Sequence, residues 1–227
     1  MINWNCNILK NKQQDSKYDS FIGGKPKIPR NCSSPRCNLC KEELTFMFQI
    51  AFPEGHAWYG KSFAMFFCTK HFHGEFCIPE FPNVNELYGV EISRDFLDKY
   101  ERNFKLVIFN TVQGVIQENY EEKLIFKPFH MVKTEQMDPN VDFVISGKPI
   151  WIMGIDETPG KIASVSNIEL LLQVREDYEF EKHSNAKPQD NPYYEQNNYM
   201  LFAADRIYFW GTTDANNLAV YISVQSP

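Results

Sequence analysis

The chain has 227 residues, of which 43% are hydrophobic, 23% charged and 15% aromatic. That composition excludes a disordered polypeptide, which lacks the aromatic groups to build a core. Residues 1–80 carry 10 Lys/Arg against 7 Asp/Glu (+3), and residues 81–227 carry 13 against 22 (−9), a balance that excludes a generic nucleic-acid binder and suits a basic protein partner.

No uninterrupted apolar run, Phe63 to Cys68 included, exceeds six residues, far short of the ~20 a membrane helix needs. No apolar leader opens the chain. The expectation is a soluble, cytoplasmic protein that binds neither membrane nor nucleic acid. In a reducing compartment disulfides do not persist, so the cysteines need another role.

In chain order, turn formers Gly23, Gly24, Pro26, Pro29 and Pro35 come first. Leu44–Ile50 and Ser62–Cys68 then predict an antiparallel strand pair. Residues 92–104 predict a helix, with Phe96, Leu97, Tyr100 and Phe104 at helical spacing and Ser93 as a cap. Leu106–Phe109, Leu124–Phe129, Val141–Ile145 and Ile150–Ile155 predict further strands. Residues 182–198 predict a long polar loop. Ile207–Trp210 and Leu218–Val224 predict the closing strands.

Two stretches repeat in order. Glu43–Ile50 matches Ile168–Val174, each an acid, an apolar run, Gln and a β-branched residue. Lys61–Cys68 matches Asp205–Gly211. Each is preceded by a Gly/Pro segment, Phe21–Pro26 and Trp151–Pro159 respectively. The predicted fold class is α+β, mainly β: one domain over 1–227, built as two similar antiparallel β units from a degenerate duplication, packed with one or two helices. The halves span about 20–82 and 150–227, linked by 83–149.

All six cysteines lie in the first 77 residues. Cys37-Asn-Leu-Cys40 is a C-x2-C, and Cys68-Thr-Lys-His71 a C-x2-H, at the two ends of the predicted hairpin. Thiolate and imidazole are the usual ligands of zinc, and a closed set of four marks a structural ion. Spacing favours Cys37, Cys40, Cys68 and His71, with Cys77, His73 and Cys32 as rivals for the fourth place. A catalytic zinc would keep an open position, and no Glu stands as in H-E-x-x-H. No catalytic residues and no enzymatic activity are expected. His56 and His130 are expected to be satisfied polar residues. Glu176, Asp177, Glu179 and Glu181 alternate with aromatics and form a candidate acidic docking face.

Gly23-Gly24-x-Pro26, Cys37-x2-Cys40, Leu44–Gln49 and Phe66-Phe67-Cys68-x2-His71 together resemble the zinc-knuckle form of the bacterial YwqG-like family. Leu170–Gln173, Tyr208–Gly211 and Leu218–Val224 resemble its C-terminal pattern. The first eighty residues are also similar to the repeated unit of the programmed cell death protein 2 family. The first resemblance implies an interaction protein, such as an immunity protein that neutralises a polymorphic toxin. The second implies a chaperone for a basic ribosomal protein. A zinc-dependent enzyme is the third reading. The expected cofactor is structural zinc.

Overall fold

The computed structural model describes residues 2–10, 12–71, 101–136, 138–155, 168–190, 197–202, 205–213 and 218–225. The protein is mainly β. The strands are β1 (Asn3–Ile8), β2 (Phe21–Ile22), β3 (Lys27–Pro29), β4 (Thr45–Ala51), β5 (Lys61–Phe67), β6 (Phe104–Asn110) and β7 (Gly114–Ile116), followed by β8 (Lys127–Thr134), β9 (Phe143–Ser146), β10 (Ile168–Val174), β11 (Phe180–Glu181), β12 (Asn198–Tyr199), β13 (Arg206–Thr212) and β14 (Val220–Gln225). Ten of them form one antiparallel sheet in the order β14-β13-β10-β9-β1-β8-β2-β4-β5-β6. Two short ribbons, β3–β7 and β11–β12, lie outside it.

The apolar runs predicted as strands explain this sheet. β4, β5, β10 and β13 bury residues on both faces, which continuous apolar sequence permits and strict alternation does not. One face of both sheet halves shares a single core. Phe209 meets Phe63 at 5.3 Å and Phe48 at 5.9 Å between ring centroids, and Phe48 meets Phe143 at 5.4 Å. The sheet therefore curls until its halves face each other. The outer faces carry smaller clusters, one around Phe21, Phe46 and Phe66 and one around Leu170, Tyr208 and Trp210.

The two sheet halves keep matching registers. β4 and β10 each skip one residue against their partner, at Met47 and at Leu171, two residues before a buried Gln. Gln49 stands opposite Phe21 and Gln173 opposite Val144. The Gln49 Oε1 accepts from the Lys27 amide at 3.2 Å, and the Gln173 Oε1 from the Ile150 amide at 3.0 Å. Both turns that follow, Gly23-Gly24 and Ser146-Gly147, hold two successive residues at positive φ. By these registers Val144 lies against Gln173 as Phe21 lies against Gln49, while the expected Trp151–Pro159 segment is described only through Ile155.

Other expectations shift too. β8 starts three residues later than the predicted Leu124–Phe129 strand, with Leu124 reduced to an isolated bridge to Lys182. Ile150–Ile155 is not a strand. Its Ile150 and Ile152 amides are taken by the side chains of Gln173 and Gln225, and Trp151 packs on Tyr208. The predicted helix falls mostly on 92–100, outside the described residues. Its last residue, Phe104, opens β6 instead, because Phe104 and Leu106 are buried in the common core. The described residues include a 3-10 turn at Thr111–Gln113.

His56 is only partly satisfied. Its Nδ1 accepts the Trp58 amide at 2.9 Å, while Nε2 is buried without a partner. Burial pushes its pKa down to about 4.

Two outcomes follow. At φ +60 an added Cβ on Gly23 would lie 2.4 Å from the Ile125 oxygen, so Gly23→Ala should cost ~2–4 kcal/mol in urea unfolding. In the pH experiment the unfolded chain, with its His near 6.5, takes up the proton first. Stability attributable to His56 should therefore fall between pH 6.5 and 4, by at most ~3 kcal/mol, and level off below. His56→Asn, whose Oδ1 can still accept the Trp58 amide, should flatten that slope.

Candidate metal centre

The first knuckle sits in a tight turn between the isolated pair Arg36 and Glu43. The Cys37 amide donates to the Glu42 oxygen at 2.8 Å, and the Lys41 amide to the Cys37 oxygen at 2.9 Å. Lys41 takes φ +63, the left-handed conformation that turns the chain back into β4. Arg36 holds the turn from outside by donating to the Lys41 oxygen at 3.0 Å. The second knuckle continues directly from β5. Antiparallel pairing of β4 and β5 sets Thr45 opposite Phe67, which brings the two knuckles to the same end of the hairpin.

The segment before β6 clamps both. The Cys68 amide donates to the Asn103 oxygen at 2.8 Å, and Asn103 Nδ2 to the His71 oxygen at 2.9 Å. Asn38 donates its amide to the Arg102 oxygen at 2.8 Å and its Nδ2 to the Glu101 oxygen at 2.6 Å. Buried Glu101 in turn accepts the Leu106 amide at 2.8 Å and pairs with Lys105. Lys70 of one knuckle pairs with Glu42 of the other. None of these supporting residues carried a sequence signal, since each acts through contacts that only the folded register creates.

The ligand atoms of Cys37, Cys40, Cys68 and His71 all lie within 4.8 Å of one another. Cys40 Sγ is 3.8 Å from Cys68 Sγ. His71 Nδ1 is 3.4 Å from Cys68 Sγ and 3.7 Å from Cys37 Sγ. Ligand arms of about 2.3 Å for sulfur and 2.0 Å for nitrogen give a tetrahedron with edges of roughly 3.5–3.8 Å. The donor set is therefore compatible with a zinc ion. It is the favoured quartet of the sequence. Of the rivals, His73 and Cys77 lie outside the described residues. Cys32 packs against the same outer cluster but stays outside the quartet.

The sulfurs differ in their surroundings. Burial pushes the Cys68 thiol up to about 12, helped by its neighbour Cys37. At Cys40 burial also acts upward, but the Glu42 amide and the adjacent sulfurs outweigh it and hold the pKa below the ordinary thiol value. A dication reverses the burial penalty, because the bound form is the thiolate.

The predicted acidic face is mostly engaged within the chain. Glu176 pairs with Arg206 at 2.5 Å, Glu181 with Lys127 at 2.8 Å, and Glu179 accepts from Asn198 at 2.5 Å. Asp177 lies exposed in a turn at φ +55. His130 is exposed on β8. Among the described residues no helix is long and apolar enough to cross a membrane. No protein-family model matches the chain, and no curated protein sequence matches it.

Purified protein should carry one zinc per chain, and cobalt in its place should give the visible spectrum of a tetrahedral thiolate site. With metal at ~1,000-fold over its Kd, binding contributes about 4 kcal/mol to folding. Chelation should then lower the melting temperature by roughly 8–16 °C. Cys68→Ser should abolish the stoichiometry, whereas Cys32→Ser should leave it intact. Full stability in a zinc-free preparation would refute the site.

Proposed function

We propose that the protein is a non-catalytic binding protein in which a structural zinc fixes one end of the sheet. The observation that carries this reading is the closed donor set: three thiolates and one imidazole fill all four tetrahedral positions. Substrate would have no vacant position, and three thiolates make the ion a poor Lewis acid. The zinc-enzyme reading is correspondingly weak. Among the described residues no second group of His, Cys, Asp and Glu fits a metal.

The protein partner we infer is basic, from the surplus of acid over residues 81–227. Resemblance to YwqG-like proteins favours a toxin neutralised one to one. Resemblance to the programmed cell death protein 2 family favours a ribosomal client. The acidic balance serves both.

We also infer a tandem duplication of a five-strand unit, β1-β2-β4-β5-β6 followed by β8-β9-β10-β13-β14. An offset of 123 aligns residues 2–26 with 125–149 without a gap. It pairs nine identities, among them Asp15 with Asp138, Asp19 with Asp142, and Gly24-Lys25-Pro26 with Gly147-Lys148-Pro149. Asp15 and Asp138 form the same turn, their carboxylates accepting the Lys17 and Asn140 amides at 3.1 and 2.9 Å. The second unit then begins near 125 rather than 150. Each unit lends its first strand to the other, since β1 pairs β9 and β8 pairs β2.

Affinity capture with the tagged full chain from its own cells, read by mass spectrometry, tests the binding reading. One basic protein recovered in equal amount is the expected result. A ribosomal protein or a spread of nascent chains would favour the chaperone. No enriched protein would overturn both.

A further inference from the structure

A cleft of about 370 Å³ opens where the two sheet halves meet the loop before Trp58. Trp4 of β1 and Trp210 of β13 line it, as do the Ser146-Gly147 turn, His56 and Glu169 of β10. Glu169 is the anomaly. It is half-buried, yet it forms no ion pair and accepts no hydrogen bond. Burial alone acts on its carboxyl and raises its pKa. The buried Nε2 of His56, in the same lining, is likewise without a partner.

The fold does not require an acid here. Glu169 faces Gly211 across its ladder as Thr45 faces Phe67 across the matching one, so the corresponding position of β4 is a neutral Thr. The matching turn in the first half is also filled: the Gly24 amide donates to the Leu124 oxygen at 2.9 Å, and Leu124 packs against Gly23. The Ser146-Gly147 turn instead rims open space. An unpaired carboxylate withdrawn from water is costly unless a cation completes it. Among the described cations, Lys133 places its Nζ 5.9 Å over the Trp4 ring. It forms no bridge to Glu169.

We propose that this cleft receives an arginine side chain of the protein partner, with its guanidinium on Glu169. A planar guanidinium can take a carboxylate with two parallel hydrogen bonds, which an ammonium cannot do in the same fixed geometry. The inference rests on the protein-binding reading only for the source of the arginine.

The test is a titration of the full zinc-loaded chain with N-acetyl-arginine N-methylamide, followed by the indole resonances of Trp4 and Trp210. The neutral isostere N-acetyl-citrulline N-methylamide serves as control. Saturable millimolar binding of the arginine probe is expected, with the citrulline probe at least ~10-fold weaker. Glu169→Gln should remove that preference without lowering the melting temperature, because it removes an unpaired charge. Lys133→Ala should tighten binding by clearing a like charge from the Trp4 ring. Equal binding of the two probes, no saturation, or an unchanged Glu169→Gln variant would overturn the proposal. A partner captured by a chain that ignores arginine would refute the cleft and leave the binding reading standing. Arginine binding with no captured partner would do the reverse.

Discussion

Everything in this sheet hangs on the ladder between β1 and β8. It occupies the centre of ten strands, and its registers run from Asn3 opposite Thr134 to Ile8 opposite Phe129. Without it the sheet would end as two separate pieces, each with an unpaired inner edge. Long unpaired edges invite association with other chains. The ladder also joins segments more than 120 residues apart, where closure entropy is large and local propensity helps little. Cys6 and Met131 face each other near its middle. The common aromatic core forms where the curled sheet brings its two halves together.

That arrangement explains what the sequence disclosed and what it hid. The knuckles were legible because each is local: ligands three residues apart, at the ends of two apolar runs that pair as neighbours. β4, β5, β13 and β14 were legible for the same reason. β1 was not, because Asn3-Trp-Asn-Cys-Asn-Ile8 is half polar, and its strand character comes from partners more than 120 residues away. Ile150–Ile155 misled because apolar content was taken for a ladder. Its amides instead go to Gln173 and Gln225 side chains, which no periodicity reports. The expected repeat was argued from apolar runs, whereas the proposed duplication rests more on polar residues: the turn-forming Asp15 and Asp138 and the shared Gly-Lys-Pro. Those residues do backbone work, and backbone work tolerates few substitutes.

The two halves finish their matching hairpins by different means. Cys68 follows β5 directly, and Thr212 is the last residue of β13. Their amides donate alike, to the Asn103 oxygen at 2.8 Å and the Ala219 oxygen at 3.0 Å. In the first half the chain then supplies Cys68 and His71 to the metal quartet. In the second, the Thr212 oxygen accepts the Trp58 indole at 2.8 Å, and its hydroxyl accepts the Ala219 amide at 3.0 Å. Trp58 belongs to the first half's β4–β5 loop, so the second hairpin is secured from across the core. Gly211 makes this possible, since a Cβ there would lie 2.8 Å from the indole.

The asymmetry bears on which half is free to bind. A metal quartet needs no help from the opposite unit, and its outer cluster is capped by the knuckles themselves together with Tyr120, whose hydroxyl accepts the Phe46 amide at 2.7 Å beside the skipped Met47. The second half borrows Trp58 for its core. Its outer cluster around Tyr208 and Trp210 is covered by Trp151, beyond which Met153 and Ile155 stand exposed. The partnerless Glu169 and the open turn at Ser146-Gly147 both fall on this side. The proposed roles divide along the same line: a bound metal would brace the first half from within, while the second half keeps Met153 and Ile155 exposed and Glu169 without an ion pair.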